Sequence, residues 1–304
     1  GHPEVYILIL PAWGMVSDFL SYFSRKPAFG YKATALAMTS ITVLSTLVYG
    51  HHMFTTQMSP LLTQTFMTLT MTISIPSAIF FANWLGTIWK GSIRFDSPML
   101  YSLGVVFVFG LGGLSGLYLG TVTTDLYLHD TYFVVGHFHY TMAASVLLGG
   151  FAAIHFWFPK MFGRMMNECW AKVHFWLTMI GLNGIFMGMM VAGYAGMHRR
   201  LYNPFIYEFL ERLIPLNKFI TVSALIMGGA QIIFVINFVY SMYKGKVADN
   251  NPWKVGTLEW TIPSPAPHYN FKEIPVVKCG PHELGNPKLT GEKDFQYQTE
   301  ELIS

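Results

Sequence analysis

The histidines are the residues of this sequence best suited to bind a redox metal. Neutral imidazole is a common ligand of copper and of haem iron, and coordination offsets the cost of placing a polar group in lipid. Six of the eleven histidines fall at or just inside the ends of long apolar segments: His2, His51, His52, His129, His137 and His139. This clustering predicts a metal-dependent site rather than ordinary helix packing.

Two adjacent histidines and a third, more distant one could bind a single copper ion. His51 and His52 lie about 100° apart around a helix, so they can meet one metal only near a distorted helix end or with converging rotamers. His2, on another segment, would supply a third nitrogen. Three imidazoles with an open position suit a redox copper that binds a small molecule. Tyr6 is four residues from His2 and on the same helical face, so a phenol would lie beside the copper ligand.

His137 and His139 are suited to a different arrangement. Two residues correspond to about 200° around a helix, so these side chains point in opposite directions. They could each hold one flat cofactor, and haem fits because one axial imidazole fixes its iron. Arg199 and Arg200 could pair with the haem propionates at the membrane edge.

The composition indicates which elements must position these residues. Of the 304 residues, 52% are hydrophobic and only 12% are charged, whereas soluble domains contain about 25% charged residues. The mean hydropathy is +0.40, which predicts an all-α polytopic membrane protein. A net charge of +3 gives no electrostatic indication of nucleic-acid binding.

About seven segments are long enough to cross a membrane as helices. We place them near 2–24, 31–54, 61–89, 98–120, 130–158, 170–194 and 216–243. Basic residues occur on alternate loops, which places those loops on the inner side and the six histidines in the outer half. We therefore predict a transmembrane bundle over 1–243 and a polar, Pro-containing tail on the inner side over 244–304.

The same residues form motifs that resemble those of a known family, the catalytic subunit I of haem–copper oxidases. The resemblance covers nearly the whole chain, with the motifs in family order. They are Gly1-His2-Pro3-Glu4-Val5-Tyr6, His51-His52-Met53-Phe54, His129-Asp130-Thr131-Tyr132, His137-Phe138-His139-Tyr140, Arg199-Arg200 and Thr257-Leu258-Glu259-Trp260.

The resemblance implies a role for each of these residues. His2, His51 and His52 would bind copper, and Tyr6 would be covalently joined to His2. His137 would ligate the iron of a high-spin haem, and His139 would be one ligand of a low-spin haem. His129 and Asp130 would contribute to a magnesium site, and Arg199 and Arg200 would pair with propionates. The implied reaction is reduction of dioxygen to water, coupled to proton translocation.

Two features depart from the family pattern. Family members have about twelve helices, and this chain corresponds to the last seven, so the N-terminal half is expected as a separate chain or as residues missing from this sequence. A lysine usual in the third segment is replaced by Phe80, although Tyr6 and Ser17 are kept and Ser77 replaces a threonine. We expect the inner proton path to run through hydroxyls and water instead, using Ser77 with Ser74 and Thr70.

The expected partners are the N-terminal half, a subunit II with a dinuclear copper, a subunit III, cytochrome c, lipid and dioxygen. The expected location is a bacterial cell membrane or the mitochondrial inner membrane. A quinol-fed oxidase is the main alternative. A nitric oxide reductase is disfavoured by Tyr6 beside His2, and a metal-free proton-relay transporter is disfavoured by the paired histidines.

Overall fold

The described part of the chain is helical. The computed structural model describes residues 1–277 and Gly280, and no β-strand occurs among them. The α-helices are α1 (His2–Ser24), α2 (Tyr31–Ser45), α3 (Pro60–Ile88), α4 (Ser97–Gly120), α5 (Val122–Leu128), α6 (Tyr132–Phe138), α7 (Ala144–Phe162), α8 (Glu168–Tyr194) and α9 (Ile214–Lys244).

Six of these helical runs are long and apolar enough to cross a membrane. They are α1, α3, α4, the continuous run from α6 through α7, α8, and the run that ends with α9. The all-α membrane class predicted from composition is therefore confirmed, and the chain is an integral membrane protein.

The second predicted segment is shorter than expected. Helix α2 has 15 residues and ends at Ser45, and a 3-10 turn then runs from Tyr49 to Met53. The hydroxyls of Ser45 and Thr46 bond to carbonyls three residues back, at 2.7 and 2.8 Å. Such side-chain bonds compete with the helical pattern, which is consistent with the helix ending here. The consequence is that His51 and His52 lie on a tight turn rather than on a regular helix.

Helix α1 occupies the middle of the bundle and packs against α3, α4 and α7. Its inner half is fully covered by aromatic and aliphatic neighbours, with Val16 and Leu20 at 0% exposure. Helix α8 packs mainly against α9 and α6. This arrangement holds the start of α1 and the end of α6 on the same side of the core.

The contact between α6 and α8 depends on a glycine. A Cβ placed at Gly193 would collide with the backbone nitrogen of Phe133, so only glycine allows the two backbones to approach this closely. The backbones are also joined nearby, because Tyr132 donates its N–H to the carbonyl of Met197 at 2.9 Å. The position of α6 is therefore set by α8.

The first part of the predicted tail lies along the inner ends of the helices. The ammonium of Lys160, at the end of α7, donates to the carbonyls of Asn250 at 2.8 Å and Ile262 at 2.5 Å. The indole of Trp253 donates to the carbonyl of Phe156 at 2.8 Å. The division into a bundle over 1–243 and a tail over 244–304 stays a prediction, and much of that tail lies outside the described residues.

Candidate metal centre

Three imidazole nitrogens converge at the outer end of the bundle. His51 Nε2 lies 3.0 Å from His52 Nε2, and His2 Nδ1 lies 3.3 Å from the same atom. The set can offer three ligand atoms within 4.8 Å of one another. Metal–imidazole bonds are about 2.0 Å long, as for zinc, so nitrogens that share one tetrahedral ion lie about 3.3 Å apart. The observed spacings fit three ligands of one ion.

The local backbone explains how these histidines meet. His2 is the first residue of α1, and His51 and His52 lie on the 3-10 turn from Tyr49 to Met53. A 3-10 turn has about three residues per turn, so it directs neighbouring side chains differently from an α-helix. The hydroxyl of Thr70 on α3 lies 3.0 Å from His51 Nδ1, which fixes the ring and leaves Nε2 to face the other two histidines.

Tyr6 lies directly beside this trio. Its ring centroid is 4.9 Å from that of His2, with an edge-to-face angle of 66°. His2 Nε2 is buried and has no hydrogen-bond partner. Buried imidazole nitrogens normally find a partner, so an orphaned one calls for an explanation. His2 Nδ1 is turned to the other histidines, and Nε2 is the nitrogen that lies on the other side of the ring.

His137 is held with one nitrogen engaged and the other available. Its Nδ1 donates to the carbonyl of Gly112 at 3.0 Å and lies 2.9 Å from the hydroxyl of Ser115. Metal-bound histidines typically use the second nitrogen in this way. A Cβ at Gly116 would lie 3.0 Å from His137 Cε1, so a glycine at this position of α4 leaves room for the ring.

His139 faces the other side of the same run of helix. Its Nδ1 donates to the carbonyl of Val135 at 2.8 Å, and its ring packs on Phe186 of α8 with centroids 5.0 Å apart. His137, by contrast, contacts α4. A π-helical turn begins at His139 and runs to Ala143, a local widening that is frequent at functional sites. The opposite orientation predicted from the spacing agrees with these contacts.

The predicted magnesium and propionate residues are linked to one another. Arg199 Nε donates to Asp130 Oδ1 at 2.7 Å, and His129 Nδ1 lies 3.0 Å from Asp125 Oδ2. Desolvation raises the pKa of Asp130, but the hydrogen bond and charge of Arg199 outweigh it, so the pKa lies below its ordinary value. Burial raises the pKa of Asp125, although His129 opposes the shift. Arg200 is exposed.

The residues predicted for the inner proton path are not joined by hydrogen bonds among the described residues. The hydroxyl of Ser17 donates to the carbonyl of Trp13 at 2.7 Å and accepts from the indole of Trp84 at 2.8 Å. Ser77 donates to the carbonyl of Ile73 within its own helix. Phe80 is fully buried and packs against Trp13 with centroids 4.9 Å apart.

Sequence reasoning missed the residues that orient the ligands. Thr70 was assigned to the proton path, but its described contact is with His51. Ser115 and Asp125 were given no role toward His137 and His129. The separation of Asp125 and His129 by four residues was a usable signal, because it places both on one helical face. The other two pairs join different helices, so spacing along the chain does not reveal them.

Comparisons with known proteins identify the family. Residues 1–226 match the family described as cytochrome c and quinol oxidase polypeptide I. The chain belongs to this oxidase family. Its relatives include cytochrome c oxidase subunit 1 of Synechocystis, which is 43% identical over 93% of this chain and 51% of that protein. The corresponding protein of Bacillus subtilis is 42% identical over 97% of this chain and 47% of that protein.

A solved structure supports the fold. A heme-copper terminal oxidase dimer determined by cryo-EM matches with a TM-score of 0.73 and 21% identity, covering 82% of this chain and 48% of that chain. The chain thus spans about half the length of the curated oxidase relatives and of the solved structure that it matches.

Proposed function

We propose that this chain forms the copper side of the catalytic centre of a terminal oxidase that reduces dioxygen to water and moves protons across the membrane. The observation that carries the proposal is the convergence of His2, His51 and His52. Neutral imidazole nitrogens offer lone pairs, so a metal cation is the natural occupant of the space between them. The donor set suits copper, because imidazole binds this metal well.

The cofactors would be held by residues whose second contacts are already made. His2 Nδ1, His51 Nε2 and His52 Nε2 would bind copper, and the Nε2 atoms of His137 and His139 would bind two haem irons. Bound copper and haem iron supply the electrons for reducing dioxygen. Thr70, Gly112, Ser115 and the carbonyl of Val135 hold the rings in position. The second ligand of the His139 haem would come from residues other than 1–304.

Tyr6 would be joined to His2 through the orphaned Nε2. Forming that bond removes one hydrogen from each ring, and the two electrons pass to dioxygen. The linked phenol would then give a proton and an electron at the reacting centre. The link can be tested directly, because the peptide containing both residues would be lighter by two hydrogen atoms. A peptide of unchanged mass from active enzyme would contradict it.

The outer polar residues have proposed roles at the rim of the site. Arg199 and Arg200 would pair with haem propionates, and His129 with Asp130 would contribute to a magnesium site at the interface with a subunit II. The ion pair of Asp130 with Arg199 and the contact of His129 with Asp125 support a shared polar layer there. Metal analysis of an Asp130→Asn variant tests this: magnesium should fall while copper stays unchanged.

The proton path from the inner side is proposed to follow α3 through Ser77 to Tyr6. Ser77 and Thr70 are seven residues apart, which places them on the same face of α3. Ser17 would mark the inner entrance. Ser77→Ala should slow both turnover and proton uptake, and equal rates in the variant and the parent would contradict the route.

The proposed electron donor is cytochrome c, acting through a subunit II that carries a dinuclear copper and in a complex with a subunit III. The relatives named above are cytochrome c oxidases, which supports this choice over a quinol donor. The proposed location is an energy-transducing membrane, either a bacterial cell membrane or the mitochondrial inner membrane. Oxygen uptake with reduced cytochrome c should exceed uptake with a quinol.

The central experiment is a metal and pigment assay of the purified complex with its reduced-minus-oxidised spectrum. The expected result is two haems and copper, together with oxygen consumption. A preparation with the chain intact but without haem would overturn the oxidase proposal and favour a metal-free proton relay.

A further inference from the structure

We propose that Tyr6, Trp13, Trp84 and Trp89 form a relay that carries unused oxidising equivalents from the metal centre to the inner surface. We call these four residues the tryptophan relay. Its function would be protective: it would remove an oxidising equivalent when the electron supply fails. This inference rests on the proposed oxidase function, because dioxygen chemistry at Tyr6 is the source of the oxidant.

The four side chains are spaced as a sequence of short steps. Tyr6 and Trp13 are seven residues apart on α1, which places them on the same face and about 10.5 Å apart along the axis. The ring centroids of Trp13 and Trp84 are 6.2 Å apart, in perpendicular contact. Trp89, the residue that follows α3, lies five residues after Trp84, which corresponds to a helical rise of about 7.5 Å. It is 70% exposed, so the relay ends at the surface.

The middle of the relay is buried. Trp13 and Trp84 are each 2% exposed. Phe80 packs against both, with centroid distances of 4.9 Å to Trp13 and 4.5 Å to Trp84. Tryptophan and tyrosine are readily oxidised by one electron, whereas phenylalanine is not. An oxidised indole in such a site is shielded from solvent, so the charge can move on before it reacts.

The electron and proton balance closes over the whole relay. A phenoxyl radical at Tyr6 takes an electron from Trp13 and a proton from water in the pocket, which restores the phenol. Trp84 refills Trp13, and Trp89 refills Trp84. The hydroxyl of Ser17, 2.8 Å from the Trp84 indole nitrogen, can stabilise the charge in passage. Trp89 finally gives its indole proton to solvent, and its radical takes a hydrogen atom from a soluble thiol, which leaves a thiyl radical in solution. Where no thiol is present, dioxygen adds to the radical, and the resulting peroxyl radical takes a hydrogen atom from hydrogen peroxide to give an oxygenated tryptophan.

Mapping of tryptophan oxidation tests the relay in the intact complex. The holoenzyme is treated with hydrogen peroxide in air without electron donor, and oxygenated tryptophans are quantified by peptide mass spectrometry. Trp176 on α8 serves as the reference, because it is 58% exposed and its ring packs against Phe175, which is not part of the relay. Trp89 should be oxygenated several-fold more than Trp176 in the parent protein.

Two substitutions at one position separate the relay from direct attack by peroxide. Trp13→Phe removes the oxidisable group and should lower Trp89 oxygenation to the level of Trp176. Trp13→Tyr keeps an oxidisable ring and should restore most of it. Equal oxygenation of Trp89 and Trp176 in the parent, or no change in Trp13→Phe, would overturn the relay. Oxygen uptake is measured on the same samples. If uptake is normal and one of these two contradicting results is obtained, the relay alone is refuted. If the parent protein takes up no oxygen, the oxidase proposal is refuted as well.

Discussion

Buried polar groups have different kinds of partner at the two ends of the bundle. At the outer end, three imidazoles meet one another, and His2 Nε2 has no partner. At the inner end, Lys160 is 8% exposed, and its ammonium is surrounded by carbonyls of Asn250, Ile262 and Pro263. At the inner end an ammonium group donates to carbonyl oxygens, whereas at the outer end imidazole rings contact other imidazole rings.

This difference separates a structural contact from a binding site. A buried charge that meets several acceptors is stabilised by the fold alone. Neutral imidazoles that face one another can share at most one proton per contact, whereas a cation between them would engage all three lone pairs at once. His2 Nε2 also stays buried without a partner, which is costly. The outer end is therefore organised for a ligand, and the inner end is organised for rigidity.

The largest effect on copper affinity is expected at a proposed copper ligand of the outer end. His52→Ala removes the imidazole that contacts both His2 and His51, so copper affinity should fall by more than the roughly 10- to 100-fold typical of an outer-shell change. Copper content and oxygen uptake are the measurements. His268→Ala, at an exposed histidine of the tail, is the matched control. Full copper occupancy in His52→Ala would refute the site.

The inner end should respond through stability rather than through metal content. Lys160→Met leaves several carbonyls without a donor and should lower stability by about 2 kcal/mol, as for unsatisfied buried acceptors. The thermal inactivation midpoint of the purified complex should fall while copper content stays constant. Lys172→Met, at an exposed lysine on α8, should change neither. A loss of copper without destabilisation would contradict the assignment of the inner end as structural.

A smaller effect is expected for the threonine that orients a copper ligand. Thr70→Val removes the hydroxyl that fixes His51, and copper affinity should fall roughly 10-fold. Thr72→Val is the control, because its hydroxyl bonds to the carbonyl of Thr68 in its own helix. Competition with a copper chelator measures the difference. Identical titrations of the two variants would show that Thr70 does not position the ligand.

The smallest change is expected at Ser115. Removing the Ser115 hydroxyl leaves His137 Nδ1 with the carbonyl of Gly112 as acceptor, so the lost interaction free energy should be about 1 kcal/mol. Ser115→Ala should shift the iron–histidine stretching frequency in the reduced enzyme with little loss of oxygen uptake. Ser102→Ala, which removes a buried hydroxyl bonded within α4, should leave that frequency unchanged. Equal spectra would place Ser115 outside the site.

Much of this arrangement could be predicted from sequence, because the strongest signals are local. Apolar segment length predicted most of the helices, and the spacing of His137 and His139 predicted their opposite orientation. The end of α2 at Ser45 was missed, because apolar residues continue through Val48 while hydroxyl bonds and a tight turn replace the helix. The meeting of His2 with His51 was expected from topology, but the contact of Thr70 with His51 depends on how two helices are aligned.

The position of α6, which carries His137, depends on Gly193, a residue of α8 that lies far along the chain. Because even a methyl group there would strike the backbone at Phe133, Gly193→Ala would push α6 away from α8 and carry both His137 and His139 with it. The two proposed cofactor sites would lose alignment through one displaced segment of main chain, without any change to a proposed ligand. Variation at this position would therefore mimic a defect in cofactor insertion while leaving every coordinating side chain in place.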